Sequence, residues 1–132
     1  MKKAKIMIVE DEFILAMKME SNLSGMGYET CGLAATGEDA IKNAEQEKPD
    51  VVLMDIILKG EMSGIDAAVE IHSRYGIPII FTTGCEGEGI RELADEAGPV
   101  AYFIKPVEIE ALRLAIEKAI QKENKSTNNN MQ

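Results

Sequence analysis

Five short apolar runs, each followed by a stretch with helical periodicity, constrain this chain more than any other feature. The runs are residues 4–9 (AKIMIV), 28–33 (YETCGL), 51–54 (VVLM), 77–82 (IPIIFT) and 100–104 (VAYFI). They begin about two dozen residues apart, enough for a strand, a turn, a helix and a second turn in every unit. The first, third, fourth and fifth are nearly continuous in apolar residues, as parallel strands covered on both faces are. The second carries Glu29 and Thr30 and suits a sheet edge.

Between the runs, apolar residues recur at helical spacing. Leu15, Met19, Leu23 and Met26 form one stripe, and Ala40, Ile41 and Ala44 a weaker one. Ile65, Ala68, Val69 and His72 form a third, with Ser63 as a candidate N-cap. Ile90, Leu93, Ala94 and Ala97 form a fourth, closed by Gly98-Pro99. Ile109, Leu112, Ile116, Ala119 and Ile120 form the clearest. Strict alternation predicts an α/β sandwich on a five-stranded parallel sheet with right-handed crossovers. The flavodoxin-like order 2-1-3-4-5 puts the polar second strand at an edge. A site is then expected at the carboxyl ends of the strands, beside the switch point between the first and third. One folded domain is expected over residues 1–122, with residues 123–132 (ENKSTNNNMQ) as a polar, disordered tail.

Charge narrows the function. With 14 Lys and Arg against 23 Asp and Glu, the net charge is −9. Such a chain is a poor partner for nucleic acid or an anionic membrane. No apolar run reaches the roughly 18 residues of a membrane helix. The basic start leads quickly into Glu10-Asp11-Glu12, unlike a signal peptide. Cys31 and Cys85 cannot build a disulfide framework, which suits a cytoplasmic setting, and His72 is the only histidine.

The strands deliver a consistent set of groups to the expected site. The first ends in Glu10-Asp11, the third in Asp55, the fourth in Thr82-Thr83-Gly84 and the fifth in Lys105-Pro106. Converging carboxylates repel one another unless a cation joins them. Mg2+ or Mn2+ suits an all-oxygen site, and Lys105 adds a fixed positive charge. A metal, an ammonium, a hydroxyl and backbone N–H groups can together hold a phosphoryl group in transfer. The nucleophile would be a carboxylate, as in aspartyl phosphates. Glu12 is expected to open the first helix, Thr82 to pack in its strand, and Cys85 to be an ordinary loop thiol.

Ile8-Val9-Glu10-Asp11-Glu12, Val52-Leu53-Met54-Asp55, Ile80-Phe81-Thr82-Thr83-Gly84 and Tyr102-Phe103-Ile104-Lys105-Pro106 together resemble the response-regulator receiver domain of two-component signalling. The resemblance spans about residues 4–121. It implies Asp55 as phosphoacceptor. It implies Glu10, Asp11, Asp55 and the Ile57 carbonyl as metal ligands, with Glu10 usually acting through water. It further implies Thr83 and Lys105 as catalytic partners of the phosphoryl group, Gly84 as a backbone donor to it, Thr83 and Tyr102 as switch residues, and a cis Lys105–Pro106 bond.

The implied function is a signalling domain, not an enzyme in its own right, that catalyses its own phosphorylation and dephosphorylation. Its phosphodonor would be a sensor histidine kinase or a histidine phosphotransfer protein. Phosphorylation would remodel the face of the fourth helix, fifth strand and fifth helix for an unidentified downstream protein or for phosphorelay. A stand-alone monomer, or a weak phosphorylation-dependent dimer, is expected.

Three features depart from the common pattern: Glu10 stands where Asp is commoner, Lys59 where Pro is usual, and Gly60-Glu61 lengthens the loop toward Gly64. Ile57 is apolar where a polar side chain often stands, which predicts slow dephosphorylation. Rival functions fit less well. A flavin carrier would need a Ser/Thr/Gly-rich phosphate loop where Glu10-Asp11-Glu12-Phe13 stands. A phosphatase with an Asp nucleophile would usually carry a second Asp at position 57. A receiver that has lost phosphorylation would not keep the full set.

Overall fold

The computed structural model describes residues 3–84, 87 and 89–130, with side chains described as far as Gln121. Strands and helices alternate without exception: β1 (Lys5–Val9), α1 (Phe13–Gly25), β2 (Glu29–Ala34), α2 (Gly37–Glu47), β3 (Val51–Asp55), α3 (Gly64–Tyr75), β4 (Ile79–Thr83), α4 (Ile90–Glu96), β5 (Ala101–Ile104) and α5 (Ile109–Asn130). All strand pairings are parallel and the order is β2-β1-β3-β4-β5, as the apolar pattern predicts. β2 is at an edge. Its register against β1 slips between Ile6 and Ile8, next to Gly32, whose φ of 88° favours glycine.

The sheet separates two apolar layers. One face packs Met7, Val52, Met54, Phe81 and Ile79 against the alanine-rich helices α2 and α3 and against Ala94 of α4. The other packs Ile6, Ile8, Leu53 and Ile80 against Leu23 of α1 and Leu112 and Ile116 of α5. Every residue of β3 and β4 is buried, consistent with their central place in the sheet. Each large apolar side chain removed from water contributes roughly 1.5–3 kcal/mol. Cys31 is part of this core, and burial pushes its thiol up to about 11.

Helix ends follow local chemistry. Ser63 caps α3 by accepting a hydrogen bond from the Asp66 N–H at 3.1 Å, as the sequence suggests. Thr36 caps α2 in the same way, through the Asp39 N–H at 3.1 Å. Gly76 ends α3 with a φ of 67°. Glu12 stands at the N-cap of α1 without a side-chain cap bond.

The helix faces differ in part from the stripes. Leu15, Val69 and Leu93 are exposed, while Ala16, Ala67 and Ile71 are buried. Small residues let a helix approach the sheet closely, so alanine rather than the largest apolar residue marks several contacts. α5 also continues to Asn130, beyond residue 123 where the sequence suggests a disordered tail. No Gly or Pro interrupts that stretch. Residues 131 and 132 lie outside the described residues.

The lengthened loop after β3 has a defined place. Lys59 forms an isolated parallel bridge with Thr36, and Gly60 takes a φ of 91°. Leu58 and Met62 pack against the core on the α2–α3 side. The loop is thereby tied to the start of α2.

Candidate functional site

β1, β3, β4 and β5 end on one edge of the sheet, and parallel register sets the height of each side chain there. Asp55 pairs with Thr82 across β3 and β4, and Thr83 pairs with Ile104 across β4 and β5. Glu10 follows β1, where its N–H bonds the Ala34 carbonyl at 2.9 Å. Lys105 follows β5, where its N–H bonds the Thr83 carbonyl at 2.7 Å. The peptide bond from Lys105 to Pro106 is cis.

These backbones bring Glu10, Asp11 and Asp55 together. Their carboxylates each place an oxygen within 4.8 Å of the others. Glu10 and Asp55 are buried and Asp11 is half-buried. Lys105 Nζ bridges the two buried acids. It donates to Asp55 Oδ2 at 2.9 Å and also to Glu10 Oε1. The Ile57 N–H donates to Asp55 Oδ1 at 3.3 Å, so both oxygens of Asp55 are oriented. The Glu12 N–H donates to Glu10 Oε2 at 3.5 Å.

Burial raises the Glu10 carboxyl above its ordinary value, and the neighbouring Asp55 adds to this, outweighing the pull of Lys105. Burial alone would lower Lys105, yet bonds to Glu10 and Asp55 hold its ammonium above the ordinary lysine value. When all four groups are ionised, three carboxylates and one ammonium leave −3 + 1 = −2. An all-oxygen cluster with that surplus fits a hard divalent cation. Glu10, Asp11 and Asp55 are the side chains that would hold it.

Thr83 is fully buried at the end of β4, Thr82 is buried beside it, and Gly84 is exposed immediately after. Ile57 is 58% exposed beside the acceptor position. Tyr102 lies farther down β5. Its ring packs edge-on against Phe81 with centroids 6.4 Å apart, and the Arg91 guanidinium stands 4.4 Å above it. Cys85 lies outside the described residues.

The structure adds a residue whose role beside Asp55 is not evident in the sequence. A Cβ at Gly64 would fall 1.8 Å from the Asp55 carbonyl oxygen. The Gly64 N–H also bonds the Ile56 carbonyl at 2.8 Å. The start of α3 is thus pressed against the backbone that carries Asp55, at a distance only glycine permits. A glycine following an N-cap serine was the available signal, but the close approach is a tertiary fact.

The model of the response regulator receiver domain matches residues 6–117. The chain belongs to the response regulator receiver domain family. Receiver domains of two-component systems are phosphoacceptor signalling domains that interact with histidine kinases, and phosphorylation and Mg2+ binding at an acidic site are typical of them.

Among relatives, the chain is 39% identical over 118 residues to the transcriptional regulatory protein PdtaR of Mycobacterium tuberculosis, covering 89% of this chain and 57% of that protein. It thus spans little more than half of that relative's length. The expectation that this protein avoids nucleic acid gains no support from a transcriptional regulator. The signal receiver domain of a modulated diguanylate cyclase from Desulfovibrio desulfuricans superposes with a TM-score of 0.90 at 31% identity, over 95% of this chain and 99% of that one. The receiver domain of a sensor histidine kinase from Pseudomonas aeruginosa, solved with a magnesium ion coordinated in its active site cleft, gives 0.80 at 31% identity, over 91% and 99%. Among the described residues, no helix is long and apolar enough to cross a membrane.

Proposed function

We propose that this receiver domain takes a phosphoryl group onto Asp55 from a phosphohistidine on a sensor kinase or a histidine phosphotransfer protein. The observation that carries this reading is the state of the Asp55 carboxylate. It is buried, at 6% exposure, yet oriented by the Ile57 N–H on one oxygen and the Lys105 ammonium on the other. A carboxylate held in this way is positioned as a nucleophile. One Asp55 oxygen forms the new bond to phosphorus while the bond from phosphorus to the imidazole nitrogen of the donor breaks. The electron pair of that bond leaves with the imidazole.

Mg2+ or Mn2+, held by Glu10, Asp11, Asp55 and the Ile57 carbonyl, would supply positive charge against the phosphoryl oxygens. Lys105 is placed to exchange its contacts with Glu10 and Asp55 for a phosphoryl oxygen. The Gly84 N–H and Thr83 hydroxyl are assigned to the remaining oxygens. Thr83 then moves toward the phosphoryl group and Tyr102 changes position in response. The face of α4, β5 and α5 is thereby altered for a downstream protein or a phosphorelay partner. The Ile57 side chain offers no polar atom to orient a hydrolytic water, so the phosphorylated form is long-lived.

A protein donor is favoured by the surface next to the site. Phe13 is 70% exposed and Ile14 80% exposed at the start of α1, directly after the acidic cluster. A groove of about 610 Å3 lies alongside, lined by residues that include Leu15, Met19, Pro106 and Ile109 as well as Glu10 and Lys105. Apolar surface bordering a charged site suits docking of another protein.

Incubation with acetyl phosphate and Mg2+ followed by intact-mass measurement tests the acceptor. One phosphoryl group should be gained, and the gain should vanish in Asp55→Asn and on chelation of the metal. Persistence of the gain in Asp55→Asn would sink the assignment.

A further inference from the structure

The α4 helix is weakly seated. It has only 7 residues, and Gly89 at its N-cap provides no side-chain cap. Ala94 is its one buried residue, while Ile90 packs partly against the core. Leu93 is 54% exposed. Against this background the Arg91 guanidinium reaches back over the Tyr102 ring, 4.4 Å from its centroid. Asp95, one turn on, bonds Arg91 Nε at 3.3 Å and steadies the side chain from outside. Tyr102 is register partner of Phe81, and side chains two apart along β4 share a face, so Phe81 and Thr83 lie on the same side of the sheet as Tyr102. The tyrosine therefore stands in a row that leads to the site, capped by a cation from the helix beside it.

We propose that Arg91 is a latch on this switch: it holds Tyr102 and α4 in the unphosphorylated arrangement and so opposes activation. The proposal rests on the reading that Tyr102 changes position when Asp55 is phosphorylated. A ring that leaves its place loses the guanidinium above it. Arg91 is then a positioning residue that touches neither metal nor phosphoryl group. Its contact is with one of two states, which is the requirement for biasing an equilibrium. The Arg91–Asp95 pair is exposed on both sides and adds little by itself.

The protein has no Trp and three Tyr, so Tyr28→Phe with Tyr75→Phe leaves Tyr102 as the sole source of tyrosine fluorescence. In this background, acetyl phosphate and Mg2+ should change the emission. Arg91→Ala should move the unphosphorylated emission toward the phosphorylated value and raise the initial phosphorylation rate about two- to fivefold, the range of an exposed cation–π contact. Arg91→Lys keeps a cation and should lie between. An Arg91→Ala protein that matches its parent in both emission and rate, while phosphorylation still alters emission, would overturn the latch and leave the switch standing. If phosphorylation gives the mass gain but no emission change in the parent, Tyr102 does not move and latch and switch fail together.

Discussion

The two helices that flank the strand ends differ in how they meet solvent and sheet. α1 runs for 13 residues and exposes Phe13, Ile14 and Met17 beside the acidic cluster. α4 has 7 residues, places Arg91, Glu92, Asp95 and Glu96 on its exposed surface, and buries Ala94. α1 is anchored through Leu23 and Ala16 in the layer it shares with α5. Its exposed apolar residues are therefore not required to seat it. α4 has less to hold it, and one of its contacts is the polar–aromatic pair of Arg91 and Tyr102. A firmly packed helix with apolar surface suits docking, whereas a short helix held by exchangeable contacts suits movement.

The largest expected effect erases this distinction, because both helices border a site that hangs on one backbone approach. Gly64→Ala would put a Cβ against the Asp55 carbonyl and should cost about 2–3 kcal/mol, as overpacking does. Denaturant unfolding should show a lowered midpoint, and acetyl phosphate labelling should fall with it. Gly25→Ala, at the end of α1, is the control, since a Cβ there meets nothing within 4 Å. Equal stability of the two variants would show that the α3 start can yield.

A smaller effect separates the helices. Ile14→Asp places a charge on the exposed surface of α1 and should slow transfer from a phosphohistidine protein about tenfold, the effect of losing one interface anchor. Labelling by acetyl phosphate, which needs no docking surface, should not change. A loss with both donors would place Ile14 in the chemistry rather than in docking.

The smallest effect touches neither helix. Ile57→Asn gives the site a polar atom for water, and the phosphorylated form should decay about threefold faster, a modest share of what a well-placed general base provides. Decay followed by intact mass checks this. Unchanged or slower decay would mean that Ile57 does not limit hydrolysis.

Much of this protein is legible before any coordinates. The parallel sheet and its order follow from runs such as Val51–Asp55 and Ile79–Thr83, which are apolar throughout because helices cover both faces. Glu10, Asp11, Asp55 and Lys105 are legible as a cluster because the strand ends share one edge. The Ser63 cap is legible because capping is local. Helix faces were less so. Leu15, Val69 and Leu93 follow the period of a buried stripe yet are exposed, whereas Ala67 and Ala68 are fully buried. Periodicity registers apolar character, and a docking surface carries it as well as a core does.

The order of elements, the sheet and the identity of the charged groups at its edge are written in the chain, since these depend on local pattern and on short, right-handed connections. Tertiary structure decided what those groups touch. It made Lys105 bridge Glu10 and Asp55, pressed Gly64 against the Asp55 carbonyl and set Arg91 over Tyr102. Each of these contacts joins residues on different elements, and its length depends on how closely a helix or loop packs on the sheet. No spacing along the chain encodes that distance.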